Sequence, residues 1–276
     1  MKVALLQLCS GDDPEVNLPV LNDMIVQAAE AGAELILTPE VTNCVSGSRP
    51  RQAEVLQSEA QDITLSAVRK RATELGLWIN IGSLALKGEG TDDRFINRSF
   101  LIDPQGAIRA RYDKIHMFDV SLASGERYRE SAGYRPGGRA VVAQGPGCRL
   151  GLTICYDLRF PYLHRALAQA GADLILVPSA FSQTTGAAHW DTLLRARAIE
   201  TGSFILAAAQ TGEHPSSTEK SRRTYGHSLA VNPWGKVLAD AGDAVGVTLV
   251  DLDLAEVAKA RGQIPALTHD RPFKGP

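Results

Sequence analysis

Short apolar runs recur along the chain and alternate with stretches of helical spacing. Runs at residues 3–8, 35–38, 77–86, 98–102, 150–154, 174–177, 204–209, 227–231 and 247–250 have the length of strands. Several are apolar at consecutive positions and not at alternate ones, as expected of strands covered on both faces. Between them, residues 15–31, 59–75, 160–170 and 189–201 set apolar side chains three and four apart, which predicts helices with one buried face. Strand runs also follow one another without a helix, around 77–118 and 204–250. The pattern therefore predicts an α/β protein with antiparallel excursions, not a purely parallel sheet.

One segment echoes another. Ala31-Gly32-Ala33-Glu34-Leu35-Ile36-Leu37-Thr38-Pro39-Glu40 aligns with Ala170-Gly171-Ala172-Asp173-Leu174-Ile175-Leu176-Val177-Pro178-Ser179, and seven of the ten positions are identical. Two readings stand: convergence on a helix-ending glycine followed by an apolar strand, or a duplicated half. Segments 121–138 and 213–223 are rich in charge and turn formers and read as the mobile loops.

Composition narrows the class. In 276 residues, 29 Lys and Arg oppose 31 Asp and Glu for a net charge of −2, and 44% of residues are hydrophobic. That apolar content argues against disorder, and the balanced charge argues against nucleic-acid binding, which draws on surplus Lys and Arg. The longest wholly apolar run is six residues, at 204–209, where a membrane-spanning helix needs about 20. Gln7, Asp12 and Asp13 interrupt or follow the first run without a small-residue cleavage site, so it reads as a core strand and not a signal peptide. Cys9, Cys44, Cys148 and Cys155 include no Cys-x-x-Cys pair, which suggests a reducing, cytoplasmic setting. No HExxH or Cys/His cluster is present, so neither a metal nor another cofactor is expected.

The local chemistry centres on Gly151-Leu152-Thr153-Ile154-Cys155-Tyr156-Asp157-Leu158-Arg159-Phe160-Pro161. A buried strand run ends near Cys155, and Pro161 suits the first turn of a helix. A thiol at such a strand-to-helix turn lies among backbone N–H groups that favour thiolate and oxyanion; its plainer reading is a small buried hydrophobe. No histidine is marked by its neighbours as a base. Glu40 follows an apolar strand through Pro39, and Lys114 lies in Tyr112-Asp113-Lys114-Ile115-His116. Taken singly, each fits a solvated surface charge as well as a site residue.

Taken in order, the three resemble the nitrilase (carbon–nitrogen hydrolase) superfamily, and the likeness runs over about residues 1–272. Pro178-Ser179-Ala180-Phe181, Thr184-Thr185-Gly186-Ala187-Ala188-His189-Trp190, Tyr225-Gly226-His227-Ser228 and Asn232-Pro233-Trp234-Gly235 add to it and look most like the Nit branch. Ala208-Ala209-Gln210-Thr211-Gly212 leans towards the amidases of deaminated glutathione over ω-amidases. The resemblance implies an αββα sandwich, a single domain over 1–272 with a short tail at 273–276, and a homodimer. It makes Cys155 the nucleophile, Glu40 the general base and Lys114 the oxyanion-stabilising cation. Glu130 becomes the second glutamate, with Glu126 as the alternative. Tyr156, Arg159, Phe181 and Thr185 would bind the substrate; for Arg159 a structural salt bridge is the other reading. Val41-Thr42-Asn43-Cys44-Val45 departs from the family pattern after Glu40, which bears on the pocket more than on the chemistry.

The implied activity is hydrolysis of the terminal carboxamide of deaminated glutathione, the α-keto analogue of glutathione, with ammonia released through a Cys thioester. 2-Oxoglutaramate and N-carbamoyl compounds are the alternatives, then nitriles. A non-catalytic binding protein that keeps the fold is the rival from another class. The partner implied is a small-molecule amide, with neither nucleic acid nor membrane.

Overall fold

The computed structural model describes residues 1–88, 92–121, 125, 127–218 and 222–275. The first part of the chain runs β1 (Lys2–Gln7), α1 (Pro14–Glu30), β2 (Leu35–Leu37), α2 (Arg49–Val55), α3 (Ile63–Leu75), β3 (Trp78–Leu86), β4 (Ile96–Ile102), β5 (Ile108–Asp113), β6 (Asp119–Ser121) and β7 (Arg127–Arg129). The second runs β8 (Val141–Gln144), β9 (Arg149–Leu152), α4 (Pro161–Gln169), β10 (Leu174–Leu176), α5 (Gln183–Thr201), β11 (Phe204–Ala207), β12 (Thr211–His214), β13 (Arg222–Tyr225), β14 (Leu229–Val231), β15 (Val237–Asp240), β16 (Gly246–Asp251) and α6 (Ala255–Gln263).

Two six-stranded sheets carry the fold, ordered β16-β1-β2-β3-β4-β5 and β15-β14-β11-β10-β9-β8. In each, three parallel strands occupy the middle and antiparallel strands flank them. Alternation along β1 and β2 shows how the layers stack. Val3, Leu5, Leu35 and Leu37 share a core with Leu150, Leu152, Leu174 and Leu176 of the other sheet. Their neighbours Ala4, Leu6 and Ile36 pack instead with Leu21, Ile25, Leu65 and Val68 of α1 and α3. On the far side, Leu163, Leu167, Leu194 and Ala198 of α4 and α5 cover the second sheet. The order is helix, sheet, sheet, helix, the αββα sandwich.

The expected strands and helices are present with shifted ends. The helix read from residue 59 begins at Ile63, because Asp62 caps it by accepting the Leu65 amide at 2.7 Å. The helix read from 189 begins at Gln183, where Ser182 accepts the Thr185 amide. The segments read as mobile loops hold two hairpins: β6 pairs with β7, and β12 with β13. The echoed segments prove equivalent in space. β2 and β10 are each the middle parallel strand of a sheet, and Gly32 and Gly171 enter them at φ 83° and 89°. No helix among the described residues is long and apolar enough to cross a membrane.

Candidate active site

The carboxyl ends of the central strands converge. β2 ends at Leu37, and Thr38-Pro39 turns the chain so that Glu40 points between the sheets, 4% exposed. The turn is bolted on all sides. Ser83 N–H donates to the Pro39 carbonyl, Val41 N–H to Ser83 Oγ, and Gln210 Nε2 to the Glu40 carbonyl. Gly82 of β3 makes the approach possible, since a Cβ there would lie 2.0 Å from the Thr38 oxygen and 2.4 Å from Pro178 Cβ. β4 and β5 bring up the next pair: the Lys114 N–H donates to the Asn97 carbonyl, which puts both side chains beside Glu40.

Lys114 Nζ lies 2.8 Å from Glu40 Oε1 and 2.8 and 2.9 Å from the two oxygens of Glu130. Glu40 is held from two further directions, accepting from Asn97 Nδ2 and from the Ala180 N–H, each at 2.9 Å. Glu130 accepts the Phe118 amide at 2.6 Å. Glu126, the other sequence candidate for the second glutamate, lies outside the described residues.

Cys155 closes the group. It stands just beyond β9 at φ 49°, with its N–H donating to the Pro178 carbonyl. Its side chain faces the same cavity as Glu40 and Lys114, close enough for both charges to act on the thiol. A non-glycine residue at positive φ is uncommon and costs on the order of 1–3 kcal/mol. Val41, beside Glu40, has the same conformation at φ 46°. Strain therefore falls on the two turns that present the carboxylate and the thiol. Asp157 locks the second turn: fully buried, it accepts from the Ile154 N–H, the Tyr112 hydroxyl and the His116 N–H.

The charges follow from burial and pairing. Burial alone would raise the Glu40 carboxyl, but the Lys114 ammonium and then Arg222 hold it below the ordinary carboxylate value. Burial opposes the charge on Lys114, yet Glu130 and Glu40 keep it charged well beyond the usual lysine range. The Cys155 thiol is pushed up, first by burial and then by the charge of Glu40. The resting site thus holds a neutral thiol against a carboxylate that is itself paired with an ammonium.

These groups lie on a cavity of about 260 Å³, lined also by Val41, Cys44, Val45, Tyr134, Tyr156, Phe181 and Thr185. The segment that departs from the family pattern is thus pocket wall. Tyr156, Phe181 and Thr185, expected from the sequence to bind substrate, lie on the cavity wall. Arg159 is set differently: its guanidinium lies 5.4 Å over the Phe181 ring and 6.0 Å over Tyr156, with Nη2 3.2 Å from His189 Nδ1. It backs the aromatic wall, and among the described residues it forms no carboxylate salt bridge. Sequence reasoning missed Asn97, Ala180, Arg222 and Tyr134. Asn97 and Arg222 sit in strands with no motif of their own, and Ala180 acts through its backbone.

The pattern of carboxylate, lysine and strained cysteine agrees with what comparison with known proteins finds. The family model for carbon–nitrogen hydrolases matches residues 2–262. The chain belongs to that family. Among its relatives, a deaminated glutathione amidase of Yersinia enterocolitica is 43% identical over 270 residues, covering 98% of this chain and 92% of the relative. The NitFhit protein of C. elegans matches with a TM-score of 0.88 at 36% identity, over 98% of this carbon–nitrogen hydrolase but only 65% of that longer chain. An amidase from Nesterenkonia matches with a TM-score of 0.78 at 29% identity, over 96% of this chain and 98% of that one. The structure in question is a glutamate-to-glutamine variant that carries acrylamide added to its active-site cysteine.

Proposed function

We propose that this carbon–nitrogen hydrolase is a Glu-Lys-Cys amidase acting on deaminated glutathione. The observation that carries the chemistry is one constellation: Glu40 ion-paired with Lys114 at 2.8 Å, on the same cavity as the Cys155 thiol. As substrate enters, Glu40 takes the thiol proton while Sγ attacks the amide carbon, so that a free thiolate need not form in a buried site. Charge that develops on the carbonyl oxygen meets Lys114 and the Tyr156 N–H. Glu40 returns its proton to the leaving amine and a thioester remains. The same carboxylate then activates water to hydrolyse it. Glu130 and Asn97 keep Lys114 and Glu40 in register through the cycle.

The substrate reading rests on the relatives' names and on the lining. Among the described residues that line the cavity, Arg49, Lys114, Arg127, Arg129 and Arg222 outnumber Glu40 and Glu130 by five to two, which suits an acidic amide. Phe181 and Thr185, backed by Arg159, form the wall for the oxo-acid part. Deaminated glutathione carries its amide inside the molecule, between its oxoglutaryl and cysteinyl parts. Its hydrolysis therefore sets free cysteinylglycine and 2-oxoglutarate; the ammonia expected from the sequence applies to a primary amide such as 2-oxoglutaramate.

The test is product release from deaminated glutathione, 2-oxoglutaramate, an N-carbamoyl amino acid and a nitrile, with Cys155→Ala alongside. Preferred turnover of the first, lost in the variant, supports the reading. Turnover of 2-oxoglutaramate alone keeps the mechanism and removes the substrate, and no turnover of any by folded protein favours a binding role. We further read the chain as a cytoplasmic homodimer. Four unbridged cysteines support the first, and the exposed groove of Ile199, Trp234 and Ile264 supports the second. Sedimentation of the purified protein tests the dimer.

A further inference from the structure

The cavity that holds Cys155 encloses about 260 Å³, below the roughly 300–1,000 Å³ usual for ligand sites. It takes a small acyl group and leaves the rest of a tripeptide-sized molecule at the mouth. Three arginines stand there, from two elements far apart in the chain. Arg49 opens α2, while Arg127 and Arg129 are the ends of β7, and all three are exposed and line the cavity. The two elements are joined: Arg49 Nη2 donates to the Arg129 carbonyl at 3.1 Å. Space for this is reserved by Gly133, where a Cβ would fall 1.4 Å from Arg49 Nη1.

Among the described residues none of the three forms an ion pair with a carboxylate within 4.0 Å. Arg129 does feel the charge of Asp119, whose oxygens are taken up by the Ser131 N–H and hydroxyl. Like charges gathered at one rim repel unless an anion joins them, and exposed cations are otherwise dispersed over a surface. Arg222 is a different case. It donates to the Ala180 carbonyl at 2.7 Å and faces Glu40, so it is occupied with the carboxyl that meets the thiol.

We propose that Arg49, Arg127 and Arg129 form a second subsite, which binds the carboxylate of the leaving group and so selects a peptide-like acid over an unsubstituted amide. This rests on the reading of the substrate given above and adds to it the group that tells deaminated glutathione from 2-oxoglutaramate, which share their acyl half. A guanidinium pair closing on a carboxylate gives charge-assisted hydrogen bonds that a neutral end cannot make. Binding energy placed there acts on a part of the molecule remote from the bond that breaks.

The experiment compares deaminated glutathione with its glycinamide-capped analogue, identical except for the missing terminal charge. The wild type is expected to prefer the acid by about ten-fold or more in kcat/KM, through KM. In Arg49→Gln/Arg127→Gln/Arg129→Gln the preference falls to near unity, again through KM with kcat retained. Gly133→Ala, which displaces the Arg49 guanidinium without removing its charge, lowers the preference part of the way. Circular dichroism and the melting temperature check that these surface variants fold. A preference that survives the triple substitution, or a wild type indifferent to the cap, overturns the subsite while leaving the amidase reading intact. A wild type that turns over 2-oxoglutaramate but not deaminated glutathione overturns the substrate reading, and the subsite with it.

Discussion

At the scale of single residues, Glu40 acts on Cys155 in two opposed ways. Its charge raises the thiol pKa, and in the proposed mechanism its carboxylate accepts the thiol proton during attack. Glu40→Gln separates them. Amide turnover should fall by several orders of magnitude, as when one member of a catalytic set is lost. Simple alkylation of Cys155 by iodoacetamide should become faster, because the thiol pKa drops towards its ordinary value. Stopped-flow alkylation beside turnover reads both; equal loss in the two would sink the assignment of Glu40 as base. The same charges shape stability. Glu40, held low, contributes stability that is present above the ordinary carboxylate value of about 4.3 and is lost as pH falls through its lowered value. Lys114, held high, contributes stability that is present below about 10.4 and is lost as pH rises through its raised value. Lys114→Ala, which leaves buried carboxylate behind, should cost about 3–5 kcal/mol at pH 7. The deficit should narrow in acid, where the orphaned carboxyl takes up a proton; urea unfolding at pH 4 and pH 7 measures it.

At the scale of elements, Gly82 is the hinge on which two strand ends meet. Thr38 and Pro39 press on it from one side and Pro178 from the other. Two of the contacts are backbone oxygens, which cannot swing away. Gly82→Ala should therefore destabilise by about 1–3 kcal/mol. It should also lower kcat more than it raises KM, since it parts the Glu40 turn from the Ala180 N–H that fixes the carboxylate. A melt together with steady-state kinetics checks this, and an unchanged kcat in a destabilised variant would refute the positional role. The strands that frame this contact were legible as unbroken apolar runs because both their faces are covered. β8 and β15 were not: they are short, half-exposed edge strands whose apolar residues do not stand out. β5 alternates Ile108, Arg109, Ala110 and Arg111, a period-two pattern that larger neighbouring signals masked. The charged segments read as loops contribute paired strands because charges such as Arg127, Arg129, Glu213 and Arg223 face solvent while the ladder is backbone. Glu40, Lys114 and Cys155 could be read because each follows a strand in a recognisable motif. Asn97 and Arg222 could not, since only pairing across the sheet or across the cavity reveals them.

At the scale of the molecule, the last strand completes the first sheet. β16 pairs with β1 along six residues, from Lys2 with Asp251 to Gln7 with Gly246, and the Met1 amino group donates to the Leu252 carbonyl. A chain that ends before residue 246 leaves β1 as an unpaired apolar edge, a template for association. Such a truncation should lose cooperative unfolding and aggregate, whereas removal of residues 271–276 alone should leave the melt unchanged. Thermal scans of the two shortened chains with light scattering distinguish these outcomes.

β16 has a further meaning. Beside β1 it stands where β8 stands beside β9, yet β8 comes just before its partner in the chain and β16 is the last strand. Moved to the front, it would turn the chain into two tandem copies of one plan: three parallel strands with a helix after the first two, then two antiparallel strands. Overlaying the copies by their ladders sets Val3 with Leu150 and Leu35 with Leu174. Glu40 then falls on Ser179, and Cys155 falls on Leu8. Each copy supplies one of the two groups proposed to react and has a different residue in place of the other. The reaction is a division of labour between twins, and neither half could perform it with a second copy of itself.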